Sequence, residues 1–547
     1  MPVRNVLRLW SRRHGRWVVL LVGCCVAPPR LLFASDPPLR IERIDIVRVE
    51  IFDTTRTEDR HALGSMVNAL HVLTREEVIR QELLFRQGEI LREDRVEESA
   101  RNLRALGFLG DAKIDVRKSG DSTVVVTVVT QDRWSMDMLP AFKQEGGVQT
   151  QRYTLKEDNI LGLGKSLSVS YSYQSDRPVP HGTDVAFLDR NVLGTRLRAG
   201  LQLRDSWDRT SRSFLLERPY YSDATPWAGG IAAEFGHRRH LFYDEGSPVY
   251  EEAGRSQMQR GWFSFSIGSA SMLRPVFAYL RARSELRNPR VFDNLDLASV
   301  SINVIDRSFV RREYLNSFGR TEDVPIGFTA SFTVGKNFLT HGVPAPVYLA
   351  QVAVRQSLLL SPDVYFGLGV SAQRYWGGSW SDESAVEALL LHHLKVSRRQ
   401  TLVAQVAVAA GFGWSGRRQM LLGSSTGLRG YGEGAFSGDR RICYSVEHRV
   451  FTDLSLLFFR LGAAAFLDGG TAWFGDSPAG RRHFSNAVGI GLRIENTKVQ
   501  GSGLVRIDVA MNLDEKRPGH VTISSALPFS AFLDLDSTPS LWSPDGQ

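Results

Sequence analysis

The sequence predicts a mainly β fold: a transmembrane antiparallel β-barrel of about 16 strands, preceded by one small α+β domain. Three observations predict it. The chain opens with an export segment. No later apolar run reaches the roughly 20 residues that a membrane helix needs. From about Trp134 onward, apolar and polar residues alternate in stretches of about ten residues separated by turn-rich loops, which is the pattern of barrel strands. Helices and closed barrels are the two structures that satisfy every backbone polar group in lipid, so without an apolar helix a spanning chain has to be a barrel.

Residues 1–34 read as a signal peptide. Six arginines (Arg4, Arg8, Arg12, Arg13, Arg16, Arg30) and no acidic residue flank the apolar run from Trp17 to Ala27. Two processing routes stay open: cleavage near Ala34, or acylation of Cys24 in Leu21-Val-Gly-Cys24. Either way the chain is exported. Of the formal net charge of +8, those six arginines account for all but +2. The basicity therefore belongs to targeting, and nucleic acid is not an expected partner. Two of the three cysteines, Cys24 and Cys25, lie in this segment, which leaves Cys443 alone and no disulfide framework.

Residues 39–130 mix two periods. Ile41–Val49 is β-branched and reads as a strand. Thr74-Arg-Glu-Glu77 reads as a capping box opening a helix that carries Val78, Ile79 and Leu83, and Gly88 ends that stretch. A second helix sets Val96, Ala100 and Leu103 on one face and stops near Gly107. Ala112–Arg117 and Thr123–Val129 follow as strands around a Ser-Gly-Asp turn. The order is β-α-α-β-β.

Residues 135–529 read as the barrel, with a tail over 530–547. Ser166–Tyr173, Arg196–Arg204 and Ile326–Val334 alternate most clearly. A soluble β-sandwich or propeller also alternates, but a dozen or more such segments run on without a break, behind an export signal. Asn159-Ile-Leu-Gly162 and Asn191-Val-Leu-Gly194 echo one another, each before a strand.

The most specific segment is Gly423-Ser-Ser-Thr-Gly-Leu428-Arg429-Gly430-Tyr431, followed by Gly432, Gly434 and Gly438. Such a loop can fold tightly against other structure. Downstream, Glu447 and Asp468 sit in strand-like segments, where a charge is tolerated facing the lumen but not lipid. An arginine on a loop folded back inside would bond such a carboxylate with its planar fork.

With these residues the chain resembles the BamA/TamA superfamily of outer-membrane proteins. Leu428-Arg429-Gly430-Tyr431 is similar to its inner-loop signature, Phe466-Leu-Asp468-Gly-Gly to its partner strand, and Glu447-His-Arg449 to its Glu-x-Arg strand. The β-α-α-β-β unit resembles a POTRA domain. The resemblance implies a barrel of 16 strands with a weakly paired first–last seam, in the bacterial outer membrane, with the N-terminal domain in the periplasm. It also implies that the inner-loop arginine pairs with the partner-strand aspartate. Val521, Ile523, Ser525, Leu527 and Phe529 look like the terminal targeting strand. Two departures are visible: the chain runs 18 residues beyond Phe529, and it has one POTRA unit where assembly proteins have several.

Other signals are weak. Gly423-x-Ser425-x-Gly427 fits a hydrolase pattern, but no helix follows to make the required elbow. His237, His240, His392 and His393 lack neighbours at ligand spacing. The expectation is a non-enzyme with no catalytic residue, metal or cofactor. It would assemble, insert or translocate other polypeptides. Its partners would be unfolded outer-membrane or secreted clients, outer-membrane lipid, and periplasmic chaperones or accessory proteins. The alternative is an outer-membrane channel or transporter for lipids or small solutes.

Overall fold

The computed structural model describes residues 38–524, apart from 53–64, 67, 70, 146–147, 245, 269–270, 286–293, 319–321, 339–345, 378–381, 415–417, 457–458, 477–482, 497–503 and 515–516. The export segment, Phe529 and the tail lie outside these residues.

The N-terminal domain folds in the expected order, as β1 (Arg40–Val49), α1 (Glu76–Glu82), α2 (Glu93–Ala105), β2 (Leu109–Lys118) and β3 (Thr123–Asp132). β3 is the central strand, parallel to β1 and antiparallel to β2. Its period of two buries Val124, Val126 and Val128 against Ile41 and Ile44 of β1, Ile79 of α1, Leu103 of α2 and Phe108. Each such side chain contributes about 1.5–3 kcal/mol by leaving water.

The predicted capping box does not form. The helix begins at Glu76 with Arg75 as its N-cap and no side-chain cap. Thr74 is instead fully buried, and its backbone N–H and its hydroxyl both donate to Asp132 Oδ2, each at 2.7 Å. A buried carboxylate is the stronger acceptor, and it outcompetes the helix end for this threonine.

The second unit is a closed barrel of 20 antiparallel strands, from Met136–Glu145 to Arg517–Ser524. The expected 16 was too few. Arg209–Arg218, with the sequence RTSRSFLLER, is a strand with little alternation to announce it. Trp227–Asp244 and Ser247–Phe265 form one long hairpin whose charged ends blur the pattern. Fifteen strands precede the glycine-rich loop and five follow it. Alternate residues such as Leu201, Leu203, Ile231 and Phe235 face outward and are exposed, as a lipid-facing band requires. The described part of the terminal strand is Arg517–Ser524, and the expected end at Phe529 lies outside the described residues.

The echoed turns have a structural purpose. Leu161 and Leu193 both adopt left-handed backbone, at φ 52° and 51°. In each turn the asparagine carbonyl oxygen accepts a backbone N–H five residues on, from Gly164 and from Arg196, at 2.7 Å. In each, the amide of the same asparagine donates to the N-terminal domain: Asn159 to Thr74 Oγ1 at 2.8 Å, Asn191 to Gln81 Oε1 at 2.9 Å. The two turns are twin clamps on the segment around α1. Arg196 belongs to this junction, where it pairs with Glu82 at 3.4 Å, and the wall strand starts at Arg198 rather than at Arg196. Burial raises the Glu82 carboxyl above its usual range, against the opposing pull of Arg196 and Arg190.

Gly162 shows how closely the clamp fits. Its φ is +72°, and a Cβ there would stand 2.6 Å from the Leu73 carbonyl oxygen. Gly162→Ala is therefore expected to loosen the N-terminal domain from the barrel, at a cost of about 1–3 kcal/mol from backbone strain. Faster proteolysis around residues 71–75 with unchanged barrel melting would check it.

Candidate functional site

The glycine-rich loop lies inside the barrel. Its base is closed by two short strands, Met420–Leu422 and Phe436–Gly438, paired with one another. Leu428 is fully buried in a cluster with Leu422, Tyr431, Cys443, Ala472 and Ala487. Gly430 has φ +90°, and a side chain there would crowd Ala487 and Ala510 of the wall. Small wall residues and a glycine thus let the loop backbone approach closely.

That approach delivers Arg429 to the wall. Ser445, Glu447 and Arg449 alternate on one face of Arg440–Leu456, and Asp468 stands opposite Ser445 on the next strand. Arg429 Nε donates to Asp468 Oδ2 at 2.6 Å and its Nη2 to Oδ1 at 3.0 Å, a bidentate pair. Its Nη1 donates to Glu447 Oε2 at 2.9 Å and to Asp508 Oδ2 at 3.2 Å. The guanidinium also lies 3.4 Å from the centroid of the Phe466 ring. Arg429, Glu447 and Asp468 are all buried.

Three further arginines complete the cluster. Arg449 donates to Glu447 Oε1 at 2.8 Å, Arg493 to Asp508 Oδ1 at 2.6 Å, and Arg506 to Asp508 Oδ2 at 2.8 Å. Arg493 and Arg506 stand directly opposite one another, so the carboxylates between them are what make the pair tolerable. Four guanidinium groups share three carboxylates, a positioning lock that holds the loop to the wall. Tyr431 fixes the other side of the loop, its hydroxyl 2.7 Å from Asp514 Oδ2 and 2.9 Å from the Asn486 carbonyl.

The sequence reading placed Arg429, Glu447 and Asp468 together, and the structure brings them within hydrogen-bond reach. It missed Asp508, Arg493 and Arg506. Their signal was present: Val505-Arg506-Ile507-Asp508-Val509 alternates charge with apolar residues, and such charges face inward on a barrel strand. Ser425 lies in a 3-10 turn on the loop, 3.5 Å from Glu433. His393 is buried against Tyr365 in the wall.

Residues 71–131 match the family model described as POTRA, surface antigen variable number repeat. That span covers α1 through most of β3, and it leads directly into the closed barrel with the arginine lock. The chain thus carries a POTRA unit followed by a closed barrel of 20 strands. No curated protein matches it in sequence. Among solved structures, it is similar to BamA from Haemophilus ducreyi lacking POTRA domains 1–3, at 12% identity and TM-score 0.40, covering 89% of this chain and 84% of that one. It is similar also to CdiB from Acinetobacter baumannii, at 12% identity and TM-score 0.45, covering 89% and 73%. For CdiB from Escherichia coli the values are 12% and 0.46, covering 94% and 95%.

The POTRA domain meets the barrel mouth beyond the twin clamps. Asp223 N and Ser222 Oγ donate to the Glu98 carboxylate at 2.7 and 3.0 Å, and Asn102 donates to the Tyr221 carbonyl at 3.1 Å. Arg104 of α2 makes a bidentate pair with Asp323 at 2.9 and 3.1 Å. Both helices therefore face the barrel.

Proposed function

We propose that this protein inserts or translocates polypeptide clients at the bacterial outer membrane, with its POTRA domain in the periplasm receiving them. The observation that carries the reading is the seam where the last strand meets the first. The described part of the seam pairs Val521 with Gln144, Thr522 with Lys143 and Ile523 with Phe142. Parting the last strand from the first would free two edges, each a template for a client strand. Helices docked on the barrel leave the POTRA sheet to offer its β2 edge by the same chemistry.

A steadily open channel for solutes or lipids is the poorer reading, because the inner loop and its arginine lock occupy the lumen. The test is depletion of the chain in its native cell. Assembled outer-membrane or secreted β-rich proteins are expected to fall while lipid composition holds. Unchanged envelope proteins with altered lipid or solute passage would overturn the proposal.

A further inference from the structure

We propose that the turn formed by residues 314–318 is an internal stop: it shuts the POTRA-side mouth of the barrel and ties the position of the POTRA domain to the inner-loop lock, with Glu322 and Arg449 as its positioning residues. The proposal concerns the closure of the barrel itself and stands apart from the identity of any client.

The turn joins Leu295–Arg312 to Glu322–Asn337, which are neighbours in the wall, the tenth and eleventh strands. A connection between neighbours needs few residues and would lie beside them. This one crosses the lumen to the fifteenth through nineteenth strands. Thr401 Oγ1 donates to the Tyr314 carbonyl at 2.7 Å, and Arg460 Nη1 donates to the Phe318 carbonyl at 2.8 Å. The Phe318 N–H donates to the Glu495 carboxylate. The Tyr314 and Phe318 rings pack on Phe451 at 5.8 and 5.0 Å, with Leu504 beneath. All these partners stand at the strand ends nearest the POTRA domain.

Glu322 holds the turn in shape. Its Oε1 accepts the backbone N–H groups of Leu315, Asn316 and Ser317 at 3.2, 3.0 and 3.2 Å, together with the Ser317 hydroxyl at 3.0 Å. Its Oε2 accepts Asn316 Nδ2 at 3.1 Å. So dense a set of donors on one carboxylate fixes a turn that is otherwise strained, since Tyr314 sits at φ +59°.

Both sides of the lock are connected through it. Toward the POTRA domain, the residue after Glu322 is Asp323, the bidentate partner of Arg104. Toward the loop, Arg449 Nη1 donates to the Leu315 carbonyl at 3.2 Å and to Asn316 Oδ1 at 2.9 Å, while its Nε holds Glu447, which holds Arg429. Arg104, Asp323, Glu322, the turn, Arg449, Glu447 and Arg429 thus form one unbroken series of contacts from α2 to the inner loop. Drawing the POTRA domain off the mouth breaks its first link, loosens Glu322 from the turn, and withdraws the Leu315 and Asn316 acceptors from the Arg449 side chain that holds Glu447.

Single-channel conductance of the purified full-length chain in a planar bilayer tests this. The native chain is expected to stay closed most of the time. Glu322→Gln, Arg104→Asp and Asp323→Arg are each expected to raise open probability by about tenfold or more, the factor equivalent to ~1.4 kcal/mol. The double reversal Arg104→Asp with Asp323→Arg is expected to close the pore again. Heat-modifiable gel mobility confirms that each variant is folded. A native chain that is steadily open, or folded variants that all stay closed, overturns the stop. If Glu322→Gln opens the pore while the Arg104 and Asp323 reversals do not, or if the double reversal fails to restore closure, the link to the POTRA domain is overturned. None of these outcomes depends on a client, so they are independent of the assembly reading.

Discussion

Asp468→Ala is expected to lower the stability of the barrel by about 3–5 kcal/mol, because it leaves buried guanidinium groups without compensation. The native cluster sets four arginines against three carboxylates, all of them buried. Removing Asp468 leaves four against two and strips Arg429 of its bidentate partner. Arg429→Ala has a different consequence, since three arginines then face three carboxylates and the wall stays balanced. That variant is expected to cost the wall less but to release the loop, which also loses the Phe466 stacking contact. The two effects separate by measurement. The temperature at which gel mobility shifts should fall most for Asp468→Ala, whereas protease cleavage between Leu422 and Phe436 should rise most for Arg429→Ala. The double variant should be less destabilised than the sum, as expected for residues that share one network. Equal melting of both single variants, or full additivity, would refute charge balance as the basis of the lock.

Much of this was legible in the sequence, for reasons that differ by region. The β-α-α-β-β order follows from local period and turn residues, and Ala100 and Leu103 are buried on the helix face that their spacing chose. Arg429, Glu447 and Asp468 were legible because a charge on a barrel strand has one face open to it. Asp508, Arg493 and Arg506 obey the same rule, and went unread only because no motif drew attention to them. What was illegible was long-range. Thr74 looked like a cap because a capping box is a local pattern, and its actual partner, Asp132, is 58 residues away. Likewise nothing in Tyr314–Phe318 foretells a turn that reaches Arg449, 133 residues on from Asn316. Strand number failed for a related reason: closure depends on the whole wall, while alternation is read one segment at a time.

A cystine across the seam is expected to abolish client handling while sparing the fold. Thr522 and Lys143 are directly opposed across the seam. Opposed antiparallel residues have Cα atoms about 4.5–5.5 Å apart, within the reach of a disulfide. Thr522→Cys with Lys143→Cys should therefore oxidise without moving the backbone. Cys443 is buried within the wall and is poorly placed to compete. If clients enter through the opened seam, the oxidised variant assembles none of them, a reductant restores assembly, and gel mobility is native in both states. A second pair away from the seam, Val370→Cys with Ala388→Cys, joins strands inside a long continuous ladder and should leave assembly unchanged in either state. This control separates the presence of a disulfide from its place. Assembly at the native rate with the seam locked would mean that clients do not use the seam. They would then have to pass through the lumen, past the inner loop and the turn at its mouth.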